Sequence, residues 1–260
     1  MSKDDKTPAP ADGALWTDLR RLTAARIGLP RSGASLSTAP LLAFQLAHAQ
    51  ARDAVHAELD APRLASDLAP LGLPVLTVSS AAADKSTYLM RPDLGRRLTP
   101  ESEHTLAAAG QASPYDVVFV VSDGLSARAV QSHAAPVFSA TLKILRRDGW
   151  RPAPLVIVER GRVAIGDAVA SALCATCVVV LIGERPGLSA PDSMGAYLTC
   201  KPGTLTSDAD RNCVSNIRPD GIGYADAAYK IAHLLTAMRR FGISGVSLKD
   251  ASDRLQIGSN

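Results

Sequence analysis

The sequence predicts an α/β protein, built as a doubly wound, parallel β-sheet that is preceded by an N-terminal helical arm. Beyond about residue 110, short continuous apolar runs alternate with segments of helical periodicity. Each apolar run ends in a polar turn, as expected of buried parallel strands. Before that point, alanine-rich segments show helical spacing. Strands and helices that alternate through right-handed crossovers indicate a Rossmann-like unit.

The chain divides into three parts by composition. Residues 1–14 are polar and rich in Pro, Ala and Asp, which predicts a disordered tail. Residues 15–100 are predicted to form a helical arm or subdomain with short strands. Residues 101–260 are predicted to form the Rossmann-like domain.

Within the arm, a helix is expected over residues 15–27 and a longer helix from residue 37 or 38. The long helix carries an apolar face that includes His48, and we expect that face to be buried. His48 is therefore interpreted as a core histidine rather than a ligand. Short strands are expected at residues 75–78 and 88–90.

The third part, residues 101–260, shows the regular alternation. A strand run that ends in Ser-Asp-Gly is predicted at residues 116–124, and further strands at 155–161, 178–184 and 197–200. Helices are predicted at 126–147, 165–173 and 226–241, and an irregular segment at 201–220.

Charge and composition limit the possible partners. The net charge of +3 comes from 28 basic and 25 acidic residues that are interspersed, which does not favour nucleic acid. No uninterrupted apolar run reaches about 18 residues, so no membrane span is expected. The first residues lack the apolar region of a secretory signal, and four cysteines suit a reducing compartment. We therefore expect a cytoplasmic protein.

Cofactor and catalytic fingerprints are absent from the sequence. No G-x-G-x-x-G follows a strand, and there is no P-loop, H-E-x-x-H or G-x-S-x-G motif. A dinucleotide-dependent dehydrogenase, a zinc enzyme and a self-sufficient hydrolase are thus not supported. Cys174 and Cys177 have C-x-x-C spacing, but they lie between a helix end and a strand start. We interpret them as small structural residues rather than a redox pair.

Three polar loops follow the predicted strands. Their sequences are VSDG at 121–124, ERGRV at 159–163 and GERPG at 183–187. In a parallel sheet all three gather at the carboxyl edge, where ligands bind. The pattern predicts a ligand or partner site there, and the spacing alone does not name the ligand.

From about residue 15 the chain resembles the small (light) subunit of ethanolamine ammonia-lyase. The resemblance rests on LTAARIGLPRSG (22–33), YLMRPDLGRRL (88–98), VSDGLSARAV (121–130), VERGRVAIGDAV (158–169), VVVLIGERPGLS (178–189) and DRNCVSNIRPDG (210–221). The motifs occur in the family's order and with similar spacing.

This resemblance implies a cofactor, a partner and a reaction. The cofactor is adenosylcobalamin, and the enzyme converts ethanolamine to acetaldehyde and ammonia by radical chemistry. A large (heavy) subunit carries the active site in a TIM barrel, and six subunits of each type assemble into a dodecamer. Cobalamin lies between the two subunit types, so the domain over 101–260 is expected to contact it. The small subunit is then non-catalytic and contributes no acid, base, nucleophile or metal ligand.

By the same resemblance, the cobalamin-contacting positions are Val163, Glu184 and Cys213. Val163 would supply an apolar wall, Glu184 a hydrogen-bond acceptor for amide or ribose groups, and Cys213 a small contact. Three neighbouring arginines could serve the tail phosphate or the subunit interface, namely Arg162, Arg185 and Arg211. The arginine-rich segments 20–31 and 91–97 are assigned to contacts with the large subunit.

Two other hypotheses stay open. The crevice could serve a free-standing nucleotide-binding α/β enzyme, or the chain could be a purely structural partner that touches no cofactor. Several family members carry a longer N-terminal extension that targets a bacterial microcompartment. Here the chain before Leu15 is short, so microcompartment residence also stays open.

Overall fold

A computed structural model describes residues 13–23, 25–110 and 114–252 of the chain. The predicted tail lies almost entirely outside the described residues. The elements before the main sheet are α1 (Gly13–Arg21), the short hairpin β1 (Arg31–Ser32) and β2 (Ser35–Leu36), α2 (Thr38–His56) and α3 (Ala61–Leu68). Helix α1 ends earlier than predicted. The Ala25 amide donates to the Thr23 hydroxyl at 3.1 Å, a local alternative to a helical hydrogen bond.

The remaining elements alternate along the chain. They are β3 (Val75–Ser79), α4 (Lys85–Met90), α5 (Pro100–Ala109), β4 (Tyr115–Ser122), α6 (Ala127–Arg147), β5 (Leu155–Glu159), α7 (Ile165–Ala172), β6 (Ala175–Gly183), β7 (Met194–Cys200), β8 (Arg211–Ile217) and α8 (Tyr224–Phe241). Six strands form one mixed sheet in the order β3-β5-β4-β6-β7-β8. The first four are parallel, whereas β7 is antiparallel to both of its neighbours.

Two predicted features of the sheet are wrong. A wholly parallel sheet was expected, but β7 runs antiparallel. The segment 201–220 was predicted to be irregular, yet it contains β8. Strand β8 lacks a continuous apolar run because Cys213, Ser215 and Asn216 are exposed, while Val214 and Ile217 are buried.

A third prediction, a strand at residues 88–90, is also wrong, because those residues lie in α4. The Asp84 carboxylate accepts a hydrogen bond from the Thr87 amide at 2.8 Å and so caps the first turn of that helix. No comparable signal in the sequence favours the predicted strand over this capped helix.

Helices cover both faces of the sheet, which confirms the α/β class. Alternate side chains of β4 point to opposite faces. Val117, Phe119 and Val121 belong to a cluster with residues of α3, α6 and α8. Val118 and Val120 belong to a second cluster with residues of α5 and α7. The two buried faces fix the sheet, and its carboxyl edge is therefore a rigid base for loops.

Helix α2 does not bury the face that the sequence predicts. Leu41 is 42% exposed and Phe44 is 39% exposed. His48 is exposed as well, so its interpretation as a core histidine is wrong. Only Ala47 and Ala54 of this helix are buried. None of the helices in the described ranges combines the length and the apolar composition that a bilayer span requires.

Candidate functional site

The loops after β4, β5 and β6 meet at the carboxyl edge of the parallel strands, as predicted. A crevice of about 410 Å³ opens at this edge. Its lining consists of Tyr88, Gly124, Leu125, Arg162, Val163, Ile182, Gly183, Glu184, Arg185 and Tyr197. Two of the predicted site residues, Val163 and Glu184, therefore share one crevice. Cys213 is not in its lining and lies on β8, directly opposite Tyr197 of β7.

The glycines beside Glu184 serve backbone packing. A Cβ on Gly183 would lie 2.1 Å from the Ser126 carbonyl oxygen, and a Cβ on Gly124 would lie 2.3 Å from the Gly183 carbonyl oxygen. Gly124 also has φ of +55°. The loops after β4 and β6 thus cross in direct backbone contact, which only glycine permits. This contact fixes where β6 ends and where Glu184 begins.

The Glu184 carboxylate is held through one of its two oxygens. The Ser193 hydroxyl donates to Oε2 at 2.5 Å, and the Asn216 amide donates to the same oxygen at 3.2 Å. The Glu184 amide itself donates to the Ser193 carbonyl at 2.9 Å. Oε1 accepts no hydrogen bond from the described part of the chain. The carboxylate is therefore fixed in place with one acceptor oxygen available.

A β-bulge between β7 and β8 directs the backbone amide of Asn216 towards Glu184. Met194 pairs with Ile217 and Ala196 with Val214, so two residues of β8 lie opposite Gly195. Asn216, one of those two, has φ of +57°. Bulges often re-aim groups beside functional sites, and asparagine tolerates this left-handed conformation better than most residues. Gly195 leaves the space that Glu184 fills, because a Cβ there would lie 2.9 Å from Oε1.

Tyr197 was missed by sequence reasoning, although it lies between the two predicted contacts. Burial raises the pKa of the Tyr197 hydroxyl to about 12, and the neighbouring Cys213 and Glu184 add to the shift. The phenol is therefore neutral at ordinary pH. The alternation within MGAYLTC could have placed it on one face of a strand, but only the antiparallel pairing with β8 places it beside Cys213.

The opposite wall of the crevice comes from the turn after β5 and from α4. The Arg162 guanidinium lies over the Tyr88 ring at 4.1 Å and donates to the Tyr88 carbonyl at 3.1 Å. Its Nε is buried and has no hydrogen-bond partner among the described residues. The half-buried Val163 follows directly. Tyr88 was also missed, because its segment was predicted to be a strand.

The other half of the same edge is closed by its own ion pairs. Lys85 Nζ lies 3.2 Å from Asp123 Oδ2, and the two side chains are only 10% and 3% exposed. The Arg160 amide donates to Asp123 Oδ1 at 2.7 Å, although Arg160 has φ of +57°. Glu159 pairs with the Arg160 guanidinium at 3.4 Å. These charges satisfy one another, and they leave a cavity of only about 80 Å³.

The three arginines next to the predicted contacts, Arg162, Arg185 and Arg211, differ in whether their guanidinium groups are available to a ligand. Arg211 is buried, and its guanidinium donates to both carboxylate oxygens of Asp167 at 2.6 and 2.8 Å. It therefore supports the fold and is not free for a phosphate. Arg185 is exposed. Together with Arg162 it also lines an adjoining cavity of about 490 Å³, whose other side is formed by α2 residues such as His48 and Arg52.

The side chains that line the crevice can bind and orient a ligand. In the ranges that the structure describes, no group of three or more His, Cys, Asp or Glu side chains is arranged to hold a metal ion. An apolar wall, one available carboxylate oxygen, a neutral phenol and two arginines remain. This set suits a ligand with amide, hydroxyl or phosphate groups.

Comparison with known proteins identifies the family. The family described as "Ethanolamine ammonia-lyase light chain (EutC)" matches residues 13–249. The chain belongs to this family. The small subunit of ethanolamine ammonia-lyase from Ralstonia nicotianae is 52% identical over 252 residues, which cover 96% of this chain and 93% of the relative.

Two further relatives carry the same name. The small subunit from Azotobacter vinelandii is 51% identical over 94% of this chain and 92% of its own length. The small subunit from Pseudomonas syringae pv. tomato is 48% identical over 96% of this chain and 87% of its own length. The resemblance found in the sequence motifs is thus confirmed along nearly the whole chain, and membership of the light-chain family makes it a subunit of a lyase.

Proposed function

We propose that the chain is the small subunit of an adenosylcobalamin-dependent ethanolamine ammonia-lyase, which converts ethanolamine to acetaldehyde and ammonia. Its crevice would form part of the cobalamin site, against a catalytic large subunit. The observation that carries the proposal is that Val163 and Glu184, two of the three positions singled out by family resemblance, line one crevice at the carboxyl edge of the sheet. Such an edge is the usual ligand site of doubly wound, Rossmann-like folds.

The residues present fit one side of such a cofactor. Cobalamin carries amide groups around its ring and a nucleotide tail with ribose hydroxyls and a phosphodiester. Glu184 Oε1 can accept from an amide N–H or a hydroxyl, and Arg162 and Arg185 can donate to a phosphate. A single crevice of about 410 Å³ is too small to enclose a molecule of this size. That supports a site completed by a second subunit.

The chain's own residues would bind, orient and screen. When bound, adenosylcobalamin supplies the radical chemistry, and the protein supplies position and shielding. Val163 and Ile182 would exclude water on the apolar wall. Ser193 and the Asn216 amide would keep Glu184 in one orientation, so that its free oxygen meets the cofactor without reorganising. Cys213, which is exposed beside Tyr197, stays a proposed contact at the outer end of the site.

One of the proposed large-subunit contacts, the basic segment 20–31, packs beside α2. Exposed apolar side chains are frequent there, including Leu42 at 58% and Leu46 at 60% exposure. Arg26, from the basic segment 20–31, lies 5.9 Å from the Phe44 ring centroid and donates to the Leu188 carbonyl at 3.5 Å. A surface that is both apolar and basic favours a protein partner. A six-plus-six assembly and microcompartment residence stay predictions.

Reconstitution tests the proposal. Ethanolamine deamination is measured after adenosylcobalamin is added to this chain alone, to the large subunit alone and to their mixture. Activity should require the mixture. A folded mixture that is inactive would contradict the assignment, and saturable binding of NAD or ATP by the isolated chain would favour the nucleotide-enzyme hypothesis instead.

Glu184→Gln tests the crevice itself. The amide keeps the size of the side chain but removes the charge, and hydrogen bonds to charged groups contribute about 1.5–3 kcal/mol. Cobalamin affinity of the assembled enzyme should therefore fall by at least about 10-fold, while the subunits still assemble. Glu103→Gln makes the same chemical change at an exposed position of α5 and should leave affinity unchanged. Unchanged affinity in the Glu184 variant would favour the purely structural partner.

A further inference from the structure

Two cysteines form a cross-strand pair at the end of the sheet opposite the crevice. Cys177 lies near the start of β6, and Cys200 is the last residue of β7. The two residues are register partners in the antiparallel pairing of these strands. All four cysteines of the chain are free thiols. The partner of Cys177 across the sheet is thus Cys200, from a distant part of the sequence, rather than its C-x-x-C neighbour Cys174.

The hydrogen-bond pattern shows which type of pair this is. The Lys201 amide donates to the Thr176 carbonyl at 2.7 Å, so Thr176 and Lys201 form a hydrogen-bonded pair. The next pair, Cys177 and Cys200, is therefore non-hydrogen-bonded. In agreement, the Cys200 amide donates to the Ser244 hydroxyl at 3.0 Å. Non-hydrogen-bonded pairs have Cα atoms about 4.5 Å apart, within the roughly 4.4–6.8 Å that a disulfide spans.

The two thiols differ in access and in acidity. Cys200 is half-buried and lines a cavity of about 530 Å³ that opens beside Lys201 and Ser244. Cys177 is only 1% exposed. The adjacent Cys177 thiol lowers the pKa of Cys200 to about 7, with a smaller contribution from Lys201. The pKa of Cys177 is raised by the same neighbour and by burial. Cys200 is thus the more accessible and more acidic of the two thiols, and Cys177 is the buried thiol beside it.

We propose that Cys177 and Cys200 are a redox modification site. Low-molecular-weight disulfides such as oxidised glutathione oxidise the two thiols to a reversible cross-strand disulfide that joins Cys177 to Cys200. The Cys200 thiolate attacks one sulfur of glutathione disulfide, forming a mixed disulfide and releasing one glutathione thiolate. That thiolate takes the proton of the Cys177 thiol. Cys177 then attacks the Cys200 sulfur and releases the second glutathione. Two protein thiols are oxidised, and one glutathione disulfide is reduced to two thiols.

The disulfide would enclose the segment that builds one side of the crevice. Glu184, Ser193, Gly195 and Tyr197 all lie between the two cysteines in sequence. Closing this loop restricts the unfolded chain more than the folded one, because the two residues are already adjacent in the sheet. Oxidation is therefore expected to raise the melting temperature without displacing the crevice.

Thiol counting and peptide mapping test the proposal on the full chain. After incubation with oxidised glutathione, two of the four thiols should be lost, and a reductant should restore them. Mass spectrometry of non-reduced peptides should show Cys177 linked to Cys200. A Cys174→Ser chain should behave in the same way, whereas Cys200→Ser should not form the bond. Cys200→Ser changes a half-buried position, and circular dichroism checks that it folds.

Other products would overturn the inference. A Cys174–Cys177 disulfide would assign the chemistry to the C-x-x-C motif. A disulfide between two chains would assign it to the exposed cysteines, Cys174 and Cys213. A stable glutathione adduct on Cys200, with Cys177 still reduced in folded protein, would show that the strands do not allow the bond. Retention of all four thiols would exclude the site.

Discussion

The two halves of the carboxyl edge carry similar residue types but use them differently. Beside β4 and β5, Asp123, Lys85, Glu159 and Arg160 are charged and partnered with one another. Beside β6, β7 and β8, Glu184 keeps a free oxygen, and Arg185 is exposed. Charges that neutralise one another hold loops in place, and charges that lack a partner are available to a ligand. We call the first, with Asp123, Lys85, Glu159 and Arg160, the closed half and interpret it as the support. The second, with Glu184 and Arg185, is the open half, and we interpret it as the binding surface.

The largest expected effect comes from breaking the closed half. In Asp123→Ala the buried Lys85 cation loses its partner, and the left-handed Arg160 loses the hydrogen bond to its amide. Removing one partner of a buried ion pair costs about 3–5 kcal/mol. The free energy of unfolding in urea should fall by that amount.

Asp220→Ala is the matched control, because the Asp220 side chain is 89% exposed and its nearest guanidinium, that of Arg218, is 3.9 Å away. It should change stability by less than about 0.5 kcal/mol. If the two variants are equally stable, the contacts of Asp123 with Lys85 and Arg160 do not support the fold.

A smaller effect is expected from crowding the open half. In Gly195→Ala the new Cβ would lie 2.9 Å from Glu184 Oε1 and 3.2 Å from the Tyr197 ring. Overpacking of this kind costs about 1–3 kcal/mol. It should also displace the carboxylate, so cobalamin affinity of the assembled enzyme should fall together with stability.

Gly203→Ala gives the comparison value, since a Cβ there meets no atom within 4 Å. This variant should keep full affinity and should be slightly more stable, because alanine restricts the unfolded chain. If Gly195→Ala matches Gly203→Ala in stability and in cobalamin affinity, Glu184 has room to move away from the new Cβ.

Only part of this edge could be predicted from the sequence. The apolar runs of β4, β5 and β6 predicted three parallel strands. Because parallel strands end at the same edge of a sheet, the polar loops that follow them were expected there as well. Family resemblance selected Val163 and Glu184, which line the crevice, and Cys213, which does not. Tyr197 could not be found in this way, because its position depends on the antiparallel pairing of β7, which no local pattern encodes. The same holds for Cys200, because its partner Cys177 lies on the neighbouring strand β6.

A third prediction concerns the anchor of Glu184. In Ser193→Ala the hydroxyl that donates to Oε2 at 2.5 Å is lost, and the Asn216 amide remains. One hydrogen bond to a charged acceptor is removed from a half-buried group, so stability should fall by about 1–2 kcal/mol at most. Cobalamin affinity should fall less than in Glu184→Gln, since the carboxylate is loosened but present. Isothermal titration of both variants in the assembled enzyme gives the order, and a reversed order would show that Ser193 itself contacts the ligand.

The last prediction concerns the pH dependence of Tyr197. Burial raises the pKa of its hydroxyl from 10.0 to about 12, so the folded protein disfavours the phenolate. The stabilising contribution of the neutral phenol is complete below pH 10, where the unfolded chain is also protonated. It is lost as pH rises from 10 to about 12, because the unfolded chain ionises first.

Tyr197→Phe should therefore lose less stability than the parent chain across that interval, as measured by urea unfolding at each end of it. Cys213→Ala removes a secondary cause and leaves burial, so it should retain most of the pH dependence. If Tyr197→Phe and the parent chain fall in parallel, the Tyr197 hydroxyl is solvated rather than enclosed. It would then belong to the outer rim of the open half and not to its wall.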